Sequence, residues 1–175
     1  MNNNCLDKLE YFKILEILSD FAKTYAGKKL IKELVPSFDA IQVSNLQLQT
    51  SQAIDMINKY GMPPIGEFND VSLHLKKLDG DSILSTKEIL DLACILKMSK
   101  ELSLFFNEVS ENLNCDFNIL KPFFNNLYLN IDLEKEIYMK IIDENTIDDR
   151  ASDALYSIRR NKKTLEQNIK DKLNH

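Results

Sequence analysis

Along the first part of the chain, apolar residues recur at steps of three and four. Leu9, Phe12, Leu15 (with Ile14), Leu18 and Phe21 would share one face of a helix over roughly residues 7–22. Thr24 precedes Lys28, Leu30, Ile31 and Leu34, which predicts a second, short helix. Pro36 ends it, because the residue before a proline avoids helical angles. Asp39 is placed to cap a third helix that runs to about Tyr60 and carries Ile41, Val43, Leu46, Leu48, Ala53, Ile54, Met56 and Ile57. Gly61 suits its end, since glycine tolerates the left-handed angles found there. Met62-Pro63-Pro64-Ile65-Gly66 reads as an extended loop.

The second part continues the pattern. A short helix holds Val71 to Leu78, and Asp79-Gly80-Asp81 is a turn. Ser85 and Glu88 form a capping box, in which each side chain serves the other residue's backbone N–H. The helix it opens, about residues 86–109, is apolar around much of its first half and reads as a central core helix. Residues 112–116 form a loop. Leu120, Phe123, Phe124 and Leu127 mark another helix, with Pro122 in its first turn or at a kink. Asp132 is expected to cap a helix over residues 133–142, and residues 143–150 form a polar, acidic connection in which Ile147 alone makes an extended contact. The last helix, from about Ser152 to Leu173, carries Leu155, Ile158, Lys162, Leu165, Ile169 and Leu173 at nearly heptad spacing. That stripe is too narrow for a core helix, so it predicts an arm or half of a coiled coil, about 30 Å long. The fold class expected is all-α: an irregular multi-helix bundle without a sheet, with a long C-terminal helical arm.

Composition agrees. Of 175 residues, 44% are apolar and 28% charged, enough to bury a core, and four Gly and four Pro are too few for a β-sandwich. The net charge of −5 gives no global attraction to nucleic acid or an anionic membrane. The N-terminus lacks the basic and apolar regions of a secretion signal, and no apolar run is long enough to span a bilayer, so a cytoplasmic protein with no membrane partner is expected. Cys5, Cys94 and Cys115 are expected to be reduced structural thiols, with Cys94 a buried filler.

Motifs for chemistry are scarce. Neither GxxxxGK[ST] nor GxGxxG occurs. His74 has no second histidine at ligand spacing, His175 is the last residue, and His74 is expected to be a surface or half-buried residue. Asp143, Glu144, Asp148 and Asp149 lack the order of a calcium loop and read as a solvated acidic turn. No catalytic, cofactor-binding or metal-binding residue is assigned. From Ala151 onward, six Lys and Arg face three Asp and Glu, reversing the sign of the chain. Arg159, Arg160, Lys162 and Lys163 are therefore the candidate residues for contact with nucleic acid or another domain, although Tyr156 is alone as an aromatic and a solvated helix face is the simpler state.

Four segments in order resemble the N-terminal part of the bacterial MutS-two proteins. They are Leu6-Asp7 and the amphipathic helix, then Thr24-Tyr25-Ala26-Gly27-Lys28 with Leu34-Val35-Pro36-Ser37; Pro63-Pro64-Ile65-Gly66 with Asp70-Val71; Gly80 to Ser85 with Glu88-Ile89-Leu90; and Asp149-Arg150-Ala151-Ser152 with Leu155 and Ile158-Arg159. In the third, Asp81 stands where a second glycine is common. The resemblance implies a helical core domain over 1–150 and the start of a truncated lever helix over 151–175. It also implies that the clamp, ATPase and Smr-type nuclease domains lie outside this chain. The segment itself would then be no enzyme and hold no cofactor, whereas the parent would be a dimeric ATPase and endonuclease using ATP and Mg. The family is known for binding branched DNA, restraining homologous recombination, and acting on collided ribosomes with their rRNA. The partners implied are the remainder of its own chain, a second copy, and branched DNA or the ribosome. The other reading is a free-standing helical protein-interaction scaffold that uses the seam of its last helix.

Overall fold

The computed structural model describes residues 3–111 and 117–173, with side chains described from residue 5. Among these residues the elements run α1 (Asn3–Lys8), α2 (Tyr11–Phe21), α3 (Tyr25–Lys32), α4 (Ala40–Tyr60), α5 (Ser72–Asp79), α6 (Thr86–Ser110), α7 (Lys121–Asn125), α8 (Ile131–Lys140), β1 (Ile141–Asp143), β2 (Thr146–Ile147) and α9 (Asp153–Leu173). The fold is all-α, with one small antiparallel ribbon. The expected loop over 112–116, with Cys115, and the terminal His175 lie outside the described residues.

Several boundaries follow the predicted physics. Asp39 Oδ1 accepts from the backbone N–H groups of Ile41 and Gln42 at 2.9 and 3.2 Å, which starts α4. Gly61, at φ 87°, ends it. The Ser85–Glu88 box is present: Glu88 Oε2 accepts from Ser85 N–H at 2.8 Å, and Ser85 Oγ accepts from Glu88 N–H at 3.3 Å.

Others differ. The first expected helix is two, because Glu10 takes left-handed angles (φ 55°) and breaks it between Lys8 and Tyr11. The cap of α8 is Asn130, whose side-chain oxygen accepts from Leu133 N–H at 3.0 Å; Asp132 sits inside the first turn instead. The stretch after α8 is not simply a loop. Ile141, Ile142, Thr146 and Ile147 are β-branched and belong to a ribbon in which Ile141 pairs with Ile147 and Asp143 with Thr146, and Asp143 Oδ1 accepts from Asn145 N–H at 2.8 Å to make its turn. The Asp143 carboxyl is held below its ordinary range chiefly by that backbone bond, with help from the Thr146 hydroxyl. Cys94 is exposed, not a buried filler. Its neighbour Ala93 takes the fully buried place, and the next residue on a helix points about 100° away.

The chain forms two compact units, one of residues 1–70 and 94–129, the other of residues 71–93 and 130–175. In the first, Met56, Phe106, Val109, Phe117 and Leu120 form the core. The Phe106 and Phe124 rings stack with centroids 4.2 Å apart, and Gln52 accepts from the Ile119 backbone N–H at 3.2 Å. In the second, Ala93, Ile137 and Ile141 pack together with Ile89 and Leu90. Helix α6 thus supplies core residues to both units, consistent with the core helix expected from its apolar first half.

Candidate nucleic-acid or interdomain surface

The four cations singled out in the sequence all lie on α9. This helix starts where Ser152 Oγ accepts from Leu155 N–H at 3.2 Å. The preceding turn is tied down as well: Asp148 N–H donates to the Lys140 carbonyl at 2.9 Å, and Asp148 Oδ1 accepts from Arg150 N–H at 2.7 Å.

The structure then gives the four different surroundings. Arg159 turns back to the ribbon, where its guanidinium donates to the Ile147 carbonyl at 2.8 Å and to the Asp149 carboxylate. It is half-buried and already engaged, which makes it an anchor for α9. Arg160 and Lys163 are exposed and border a hollow together with Tyr156, Arg159 and Asp149. Lys162 pairs loosely with Glu166 at 3.8 Å, both well exposed, an arrangement worth little in water. Tyr156, which looks isolated in sequence, therefore shares its helix face with three of the cations.

No residue of α9 is buried. The predicted seam lies open: Ile158, Leu165, Ile169 and Leu173 are 64%, 62%, 58% and 80% exposed. Among the described residues no helix is long and apolar enough to cross a membrane.

A second polar cluster is legible only in three dimensions. His74 on α5 is 16% exposed and stands between two carboxylates of α6: its Nε2 lies 3.2 Å from Asp91 Oδ2, and its Nδ1 lies 3.6 Å from Glu88 Oε1. Lys77 Nζ also donates to Glu88. The Glu88 carboxyl is held down to about 2, first by Lys77 and then by the Ser85 N–H. The capping box announced Glu88, but nothing in the spacing of His74 and Lys77 announced that α5 would lie against it.

These features define a class: an all-helical bundle segment with a basic, apolar-seamed outer helix. No protein-family model matches the chain. It is similar to proteins named endonuclease MutS2, with 35% identity over 174 residues in Acetivibrio thermocellus and 34% over 174 residues in Ruminiclostridium cellulolyticum. The match to the Clostridioides difficile protein is 34% over 176 residues. Each of these matches covers 99% of this chain and 22% of the relative. The chain belongs to the endonuclease MutS2 family, and it spans about a fifth of the length of the relatives it matches.

Proposed function

We propose that this chain is the non-catalytic N-terminal core and the opening of the lever helix of a MutS2-type protein. Its boundaries are those read from the sequence: core over 1–150, lever from 151. The observation that carries this reading is the state of α9. Its apolar seam is open from Ile158 to Leu173, and its first turns are anchored by Ser152 and Arg159. An exposed seam of that kind gains stability from cover, at roughly 25 cal/mol per Å2 of apolar surface removed from water. A rod fixed at one end and apolar along one side is suited to transmitting motion between parts of a longer chain.

In this reading the ATP and Mg chemistry, the clamp and the Smr-type nuclease belong to the remainder of the protein, which acts as a dimer. The whole protein binds branched DNA, restrains homologous recombination and acts on collided ribosomes. The cations of α9 contact nucleic acid or a neighbouring domain, and the segment couples nucleotide-driven motion to the clamp.

The test is to read the gene beyond codon 175. Continued heptads followed by GxxxxGK[ST] support the proposal. A stop codon there overturns it in favour of a free-standing helical scaffold that binds a partner through the same seam. ATP hydrolysis or nuclease activity by the isolated chain overturns the non-catalytic part.

A further inference from the structure

Helices α3 and α9 carry one pattern twice. Tyr25 is followed by Lys28, Lys29 and Lys32, as Tyr156 is followed by Arg159, Arg160 and Lys163. Offsets of three, four and seven bring a helical residue and its followers onto one face. Each motif sits in a stretch, residues 21–32 and 154–165, with four cations and no Asp or Glu, in a chain whose net charge is −5. Selection of residues for solubility alone would intersperse acids among them, as happens elsewhere on this surface.

In α3 the whole face is open. Tyr25 is 56% exposed, and Lys28, Lys29 and Lys32 are exposed. Lys29 has Glu33 at 4.0 Å, a contact too long and too wet to neutralise it. The helix is capped at its start, and the chain just past its end is tied to α2. Thr24 Oγ1 accepts from Gly27 N–H at 3.0 Å, and the Tyr11 hydroxyl donates to the Leu34 carbonyl at 3.3 Å. A Cβ at Gly27 would stand 3.0 Å from Thr24 Oγ1, so the glycine admits the cap. The result is an exposed aromatic ring beside a row of ammonium groups.

Ammonium groups in a row attract a row of phosphates, and an exposed phenol ring offers a flat surface to an unpaired base. A solvated lysine face has no use for the ring, and a duplex would leave it unused because its bases are already stacked. We propose that the α3 face formed by Tyr25, Lys28, Lys29 and Lys32 is a contact site for a single-stranded stretch of nucleic acid. One base stacks on Tyr25, and the following phosphates lie on the lysines. This deepens the reading above and rests on it for the presence of a nucleic-acid partner.

The experiment is fluorescence anisotropy of this chain with labelled oligothymidylate, oligouridylate and a blunt duplex across a salt series, with dextran sulfate as a base-free polyanion. Changing Lys28, Lys29 and Lys32 together to Gln is expected to weaken single-strand binding at least tenfold and to lower the salt slope by about 2, at roughly 0.7 per phosphate contact. Tyr25→Ala is expected to weaken it about fivefold or more with little change of slope, Tyr25→Phe to keep it, and dextran sulfate binding to ignore both. A preference for the deoxy or ribo strand identifies the sugar and supports the site in either case. Wild-type affinity and slope in the triple variant overturn the proposal, as does wild-type binding by Tyr25→Ala. If binding is lost only when Arg160 and Lys163 are changed to Gln, the α3 site falls and the assignment of α9 stands. If the wild-type chain binds no strand at low salt, the α3 site falls while the transmitting role of the segment stands.

Discussion

Arg159 reaches back ten residues to the carboxylate of Asp149, and its guanidinium also donates to the Ile147 carbonyl at 2.8 Å. The first two turns of α9 are thereby fastened to the ribbon that precedes them. A charged side chain expected at an outer surface serves first as a structural tie.

Removing that tie has a local consequence. Both partners are substantially exposed, 40% for Arg159 and 68% for Asp149, so Arg159→Ala is expected to cost no more than about 1 kcal/mol in global stability. Amide hydrogen exchange over residues 153–160 should instead speed up markedly, with helix content unchanged. Arg159→Lys should restore little, because a single ammonium does not reproduce the planar fork that serves two acceptors. Unchanged exchange in Arg159→Ala would show that Ser152 alone holds the helix start.

Acid should loosen the contact between α5 and α6. The Glu88 carboxyl, ordinarily near 4.5, is held down to about 2, so the folded state favours its charged form. Its contribution is present in full above about 4.5 and fades as the pH falls through about 2. The difference in urea midpoint between wild type and Glu88→Gln should shrink over that interval. Lys77→Met, which removes the largest cause of the shift, should shrink the difference at neutral pH too. A midpoint difference that stays constant from neutral pH down to 2 contradicts the assignment. Comparison with Glu88→Gln matters because Glu136 and Asp143 are also lowered, by Lys140 and by Asn145.

The start of α8 separates two candidate caps. Asn130 accepts from Leu133 N–H at 3.0 Å, whereas Asp132 lies within the helix. Asn130→Ala is expected to cost about 1 kcal/mol, and Asp132→Ala only the few tenths due to a first-turn charge. Chemical denaturation of the two variants ranks them, and the reverse order would restore Asp132 as the cap.

The stacked pair Phe106 and Phe124 anchors the first unit. Phe106 is 5% exposed, so Phe106→Ala should cost roughly 3–5 kcal/mol, whereas Phe124→Ala, at the edge of the cluster, should cost less. Thermal unfolding followed by circular dichroism gives the comparison.

Local physics was legible in the sequence. The helical period of the apolar residues, the Asp39 and Ser85–Glu88 caps, Gly61 and the heptad stripe of α9 each act within about a turn of chain. Composition and spacing therefore fixed the class, and the four motif segments pointed to the family. What depended on competition between neighbouring side chains, or on distant parts of the chain, was not legible. Glu10 breaks a pattern that runs on without interruption, and Asn130 rather than Asp132 caps α8, because two side chains compete for one helix start. Ile141 and Ile147 make a ribbon that neither makes alone. His74 meets Asp91 across 17 residues. Period, and a cap with no rival beside it, are properties of neighbouring residues, which the sequence states directly. Which face meets which partner depends on the packing of elements far apart in the chain, and tertiary structure alone decides that.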